Sequence, residues 1–116
     1  MARILVADDN RQFADIVGAM LEDAGHNVVT AYSGRAALAA AEQSSIDLAV
    51  LDVLIPQISG DAVAQRLRQQ RPGLPIVLMT GGDPDFATAA GLPVLRKPFT
   101  REDLVETVDR LVGARR

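Results

Sequence analysis

The sequence predicts an α/β fold: a doubly wound, five-stranded parallel sheet with helices on both faces. Three observations carry that prediction. Short apolar runs and amphipathic segments alternate five times along the chain, the pattern of strands joined by right-handed helical crossovers. The apolar runs, clearest in Leu48-Ala-Val-Leu51, have no polar alternation, so both faces of those strands are expected to be buried. Finally, 116 residues, 48% hydrophobic and 23% charged, suit a single domain (1–116) with one core.

Each element has its own signals. Arg3–Ala7 reads as the first strand, ended by Asp8-Asp9-Asn10. Phe13, Ile16, Val17, Met20 and Leu21 then recur at spacings of three and four, one apolar helix face. Asn10 or Asp9 can start that helix, and Gly25 stops it. Asn27–Ala31, rich in β-branched residues, is the second strand. Ser33 caps an alanine-rich helix running to about Glu42, with Leu38 its bulkiest core residue. The third strand is the run before Asp52, and a loop with Pro56 and Gly60 follows it. Asp61 to about Gln70 is a helix with Val63 and Leu67 inward, closed by Pro72-Gly73. Pro75–Thr80 is the fourth strand. After the Gly81-Gly82-Asp83-Pro84 loop comes a short, weak helical segment near Asp85 to Ala90, ended by Gly91. Pro93–Arg96 is the fifth strand. Thr100 caps the last helix, with Asp103 completing a capping box, and Leu104, Val108, Leu111 and Val112 are its buried side.

Composition excludes several classes of function. With no cysteine there is no disulfide framework, zinc ribbon or thiol chemistry, which fits a cytoplasmic protein. No leader pattern and no long apolar run suggest secretion or membrane spanning. A net charge of -3 without a basic stripe argues against direct nucleic-acid binding. His26, alone after a helix stop, reads as a surface or loop histidine. Gly81-Gly82 lacks the lysine-serine or third glycine of a nucleotide loop.

Four strands end in chemistry: Asp8-Asp9 after the first, Asp52 after the third, Thr80 after the fourth and Lys97 after the fifth. Any one of them has a structural reading, as a helix cap, a strand end or a solvated lysine. In a parallel sheet, however, all these ends lie on one edge, where ligands bind. Three carboxylates so close repel one another, and Mg2+, which takes oxygen ligands and few protein carboxylates, is the natural remedy. A lysine and a hydroxyl complete a cradle for a phosphoryl group. The set fits phosphoryl transfer to a carboxylate nucleophile, Asp52.

These motifs, Ile4-Leu-Val-Ala-Asp8-Asp9-Asn10, Leu51-Asp52-Val-Leu-Ile-Pro56 with Gly60, Met79-Thr80-Gly81 and Lys97-Pro98-Phe99, resemble the receiver domain of two-component response regulators over essentially the whole chain. The resemblance implies a flavodoxin-like sheet of order 2-1-3-4-5. It implies that Asp52 is the phosphoacceptor, taking its phosphoryl group from a histidine kinase or histidine phosphotransfer protein. Asp9, Asp52 and the backbone carbonyl of Leu54 would ligate Mg2+, and Asp8 would hold a water on the ion. Lys97 would pair with the phosphoryl oxygens, Thr80 would donate its hydroxyl to one, and Lys97-Pro98 would be cis. Such a domain is not a turnover enzyme. It catalyses its own phosphotransfer and slow autodephosphorylation.

Two departures from the family pattern stand out. Val94 occupies the place of an aromatic whose rotation usually reports phosphorylation. Positions 81 to 96 leave 16 residues between Thr80 and Lys97, shorter than usual by more than a helical turn. The fourth helix is therefore expected to be a remnant, in a segment from about Gly81 to Leu92 that is mobile until Asp52 is phosphorylated. The usual homodimer face is weakened accordingly, leaving room for only a weak homodimer. The first helix and the loop after the fifth strand, with Ala14, Val17 and Pro98 as candidates, are the expected partner surface, although Val17 and its neighbours read equally well as core. Met1 suggests a stand-alone regulator, with an excised end of a hybrid kinase as the other origin. Competing classes are a pseudo-receiver scaffold, a flavin protein, which Asp8-Asp9 would repel, and an Asp-x-Asp phosphatase, whose second acid is missing at Leu54.

Overall fold

A computed structural model describes residues 2–54, 59–81 and 91–114. Five strands, β1 (Arg3–Ala7), β2 (Asn27–Ala31), β3 (Leu48–Asp52), β4 (Ile76–Thr80) and β5 (Val94–Arg96), form one sheet. Every pairing is parallel and the order is β2-β1-β3-β4-β5. The described helices are α1 (Arg11–Asp23), α2 (Gly34–Gln43), α3 (Gly60–Gln70) and the C-terminal α4 (Arg101–Ala114). The remnant helix expected near Asp85 to Ala90, Pro56, and the stretch from about Gly81 to Leu92 expected to be mobile lie outside the described residues, except Gly81, Gly91 and Leu92.

The unbroken apolar strands are covered on both faces. Leu5, Ala7, Ala49, Leu51, Ile76 and Leu78 point to one side, onto Ala37 and Ala41 of α2 and Val63, Ala64 and Leu67 of α3. Ile4, Val6, Leu48, Val50, Val77 and Met79 point to the other, onto Ala14, Val17 and Leu21 of α1 and Leu104 and Val108 of α4. Successive residues of one strand thus serve two cores, because side chains alternate across a sheet. On α2 the closest packing falls to Ala37 and Ala41, while Leu38 sits half-buried at the margin.

Caps set the helix ends. Asn10, not Asp9, caps α1, its Oδ1 accepting the Phe13 N–H at 3.0 Å. The helix closes where Gly25 takes φ 100°, a left-handed value glycine adopts without a Cβ clash, and the His26 N–H returns to the Leu21 carbonyl at 3.1 Å. Ser33 Oγ accepts the Ala36 N–H at 3.1 Å. The capping box of α4 is present in both directions. Asp103 N–H donates to Thr100 Oγ1 at 3.0 Å, and Thr100 N–H to Asp103 Oδ2 at 3.4 Å.

The expected partner surface needs correction. Ala14 and Val17 are wholly buried against the sheet, and the exposed apolar residue of α1 is instead Ile16, 48% accessible. A 3.6-residue period assigns Ile16 and Val17 to one broad face, and only the tilt of the helix on the sheet decides which of the two is covered. Pro98 is exposed as expected.

Candidate phosphoryl-transfer site

Strand register builds the site. Ala7 stands opposite Leu51, so the next residues, Asp8 and Asp52, leave the sheet side by side. Asp52 pairs with Met79, and Thr80 with Arg96, which carries Thr80 and Lys97 to the same edge. The Lys97 N–H donates to the Thr80 carbonyl at 2.7 Å, extending this ladder by one residue. Asp8, Asp52 and Thr80 are the buried polar or charged side chains among the described residues, 1%, 6% and 6% accessible. Asp9 is exposed.

The three carboxylates converge. One oxygen from each of Asp8, Asp9 and Asp52 lies within 4.8 Å of the others. Lys97 Nζ sits 2.8 Å from Asp8 Oδ2 and 3.6 Å from Asp52 Oδ2. The Asn10 N–H donates to Asp8 Oδ1 at 3.0 Å, so the residue that caps α1 also anchors the acid two positions before it. The Leu54 N–H approaches Asp52 Oδ1 at 3.5 Å. Burial first, and the charge of Asp8 second, push the Asp52 carboxyl up to about 6, while Lys97 and the Leu54 N–H pull the other way. This all-oxygen donor set, with excess negative charge that one lysine offsets only in part, fits a hard divalent cation.

Gly60, the first residue of α3, lies close against the end of β3. Its N–H donates to the Val53 carbonyl at 2.9 Å, and a Cβ there would run into the Asp52 carbonyl and lie 2.8 Å from the Val53 Cα. No side chain fits at that approach. Leu54 is 75% exposed beside the acids, apolar surface at the rim of a charged edge.

Every side chain expected at the site is therefore at one sheet edge, and Lys97-Pro98 is cis. Two residues at this edge escaped the sequence reading in this role. Phe13, expected only as core, lies with its ring centroid 4.3 Å from Lys97 Nζ. Phe99 meets Phe13 edge-on, with centroids 5.8 Å apart and planes at 76°. Their signal was available in outline, since Phe13 follows the acids by one helical turn and Phe99 follows the lysine by two residues. His26 also departs from expectation. Its Nδ1 accepts the Ala2 N–H at 3.2 Å and its Nε2 lies 3.0 Å from Asp109 Oδ1, so it ties the residue before β1 to α4.

Comparison with known proteins agrees with this geometry. The response regulator receiver domain family matches residues 4–109. The chain is 39% identical over 107 residues to the probable transcriptional regulatory protein TcrX of Mycobacterium tuberculosis, covering 88% of this chain and 46% of that one. It is 36% identical over 107 residues to the alkaline phosphatase synthesis transcriptional regulatory protein PhoP of Bacillus subtilis, covering 88% and 45%. The chain thus spans a little under half the length of these relatives. The chemotaxis protein CheY4 of Vibrio cholerae superposes with a TM-score of 0.88 at 34% identity, covering 96% of this chain and 98% of that one. Among the described residues no helix is long and apolar enough to cross a membrane.

Proposed function

Because the chain belongs to the response regulator receiver domain family, we propose that Asp52 accepts a phosphoryl group from a phosphohistidine in a two-component phosphorelay. One observation supports this most directly: a buried carboxylate at a strand end, with two further acids and a lysine around it. An Asp52 oxygen attacks phosphorus, the P–O bond forms as the P–N bond breaks, and the electron pair stays on the imidazole nitrogen, which takes a proton from solvent. With its carboxyl raised only to about 6, Asp52 is mostly ionised at neutral pH and is a competent nucleophile. Lys97 offsets charge at the oxygens, and Thr80 donates its hydroxyl to the transferred group.

Asp9, Asp52 and the Leu54 carbonyl would hold Mg2+ directly, and Asp8 through water. When bound, the ion offsets the charge of the acids and of the phosphoryl group. The donor is a histidine kinase or histidine phosphotransfer protein, and the reaction belongs in the cytoplasm. The domain acts as an acceptor that assists its own phosphorylation and slow hydrolysis, and it signals by a change of conformation.

Intact mass after exposure to a small phosphodonor with Mg2+ tests the reading. Wild type should gain one phosphoryl group and Asp52→Asn none. Equal labelling of both proteins, or of neither, would overturn it.

A further inference from the structure

We propose that Phe13 is a positioning residue for the phosphoryl-transfer lysine, its ring face holding the Lys97 ammonium at the acidic edge. This rests on the function proposed above and adds a residue of α1 to its machinery. A lysine ends in a compact charge on a flexible four-carbon stem, so one ion pair leaves its direction loosely set. Here the ammonium faces Asp8 Oδ2 at 2.8 Å, Asp52 Oδ2 at 3.6 Å and the Phe13 ring at 4.3 Å. The distance to the ring is within the range of cation–π attraction, which strengthens as the cation loses water. Lys97 keeps only 23% of its side-chain surface exposed.

The ring is itself held from several sides. Phe99, two residues beyond the lysine, packs edge-on against it. Both rings lean on the core shared by α1 and α4. The Phe13 N–H is bound by Asn10 Oδ1, and the Asn10 N–H in turn binds Asp8. Acid, cap and ring are thus one connected unit around the ammonium. The chain has only three phenylalanines and one tyrosine, and two of those phenylalanines meet at this lysine. The plain alternative is that Phe13 only fills space at the edge of the core. Size alone would then matter, and the electron density of the ring face would not.

Site-specific replacement of Phe13 by mono-, di- and trifluorophenylalanine separates the two, because fluorine drains the ring face while hardly changing its shape. The rate of Asp52 phosphorylation by a small phosphodonor at saturating Mg2+ should fall stepwise along the series. The total loss should be about two- to tenfold, the size of a partly desolvated cation–π contact. Mg2+ affinity and melting temperature should stay constant. Phe13→Leu should be slow and Phe13→Tyr, which keeps the ring face, should recover most of the rate. A flat fluorine series overturns the proposal even if Phe13→Leu is slow. If wild type takes no label at Asp52, the functional reading fails, and the Lys97 ε-methylene proton shifts then decide the positioning claim by themselves. Upfield ring-current shifts that vanish in Phe13→Leu support it, and unshifted protons in wild type overturn it.

Discussion

Lys97 Nζ and Asp8 Oδ2 stand 2.8 Å apart across 89 residues of chain. Asp8 is the most buried acid of the site, and its other oxygen is satisfied by the Asn10 N–H. Removing one partner of such a pair leaves a buried charge with too little compensation. Lys97→Ala should therefore destabilise the metal-free protein by about 2 kcal/mol, below the fully buried range because Lys97 is partly solvated. Mg2+ should restore part of this loss, while phosphorylation of Asp52 stays slow. Urea unfolding with and without the ion measures the first effect and mass labelling the second. Unchanged stability without metal would contradict the pairing.

Asp52 should give the metal-free protein a distinctive pH dependence. Its carboxyl is raised from 3.8 to about 6 in the folded state. Between those values the folded protein holds a proton that the unfolded chain has released, so stability falls as pH rises from about 4 to about 6 and is level above. The penalty amounts to about 3 kcal/mol at most. Other groups titrate in this window, so the difference between Asp52→Asn and wild type is the useful quantity. In chelator it should grow in favour of Asp52→Asn up to about pH 6. In excess Mg2+ wild type should regain stability through ligand linkage, and Asp9→Ala should not. A difference independent of pH in chelator would rule out the strained carboxylate.

Gly60→Ala should be among the costliest single changes in the chain. The new Cβ would overlap the Asp52 carbonyl, which is backbone and cannot rotate away. About 2–4 kcal/mol of stability should be lost, with slower phosphorylation of the adjacent Asp52. Thermal melts and mass labelling report on the two effects. A variant that melts like wild type would show that the approach of Gly60 to the Asp52 carbonyl yields more easily than a backbone contact implies.

His26 joins two parts of the fold that are distant in sequence. Because Nδ1 accepts the Ala2 N–H, the ring proton is on Nε2, facing Asp109. His26→Ala should cost about 1–2 kcal/mol, since it strands a buried backbone donor as well as losing the second bond. Asp109→Asn keeps an acceptor at an exposed position and should cost under about 0.5 kcal/mol. Equal losses in the two variants, measured by urea unfolding, would place the energy in the surface pair instead.

Much of this protein was legible in its sequence, for identifiable reasons. Unalternating apolar runs such as Leu48–Leu51 can be buried only in a sheet covered on both faces, and that demand determined the fold class. Side-chain chemistry at the strand ends, Asp8, Asp52, Thr80 and Lys97, determined the candidate site, because a parallel sheet places all such ends on one edge. Glycine, proline and hydroxyl signals set most element limits to within a residue.

What remained needed distances between segments far apart in the chain. Periodicity could not say that Ile16 is exposed while Val17 is buried, because a one-residue step is settled by helix tilt. Nothing local to His26 names Asp109 as its partner, 83 residues away. Phe13 shows the division most clearly. The sequence determines that its ring belongs on the inward side of α1, since spacing alone requires that. Only the tertiary packing of α1 against the turn after β5 sets that ring over the Lys97 ammonium, because cation–π attraction acts through space over a few ångströms and leaves no periodic trace in the chain.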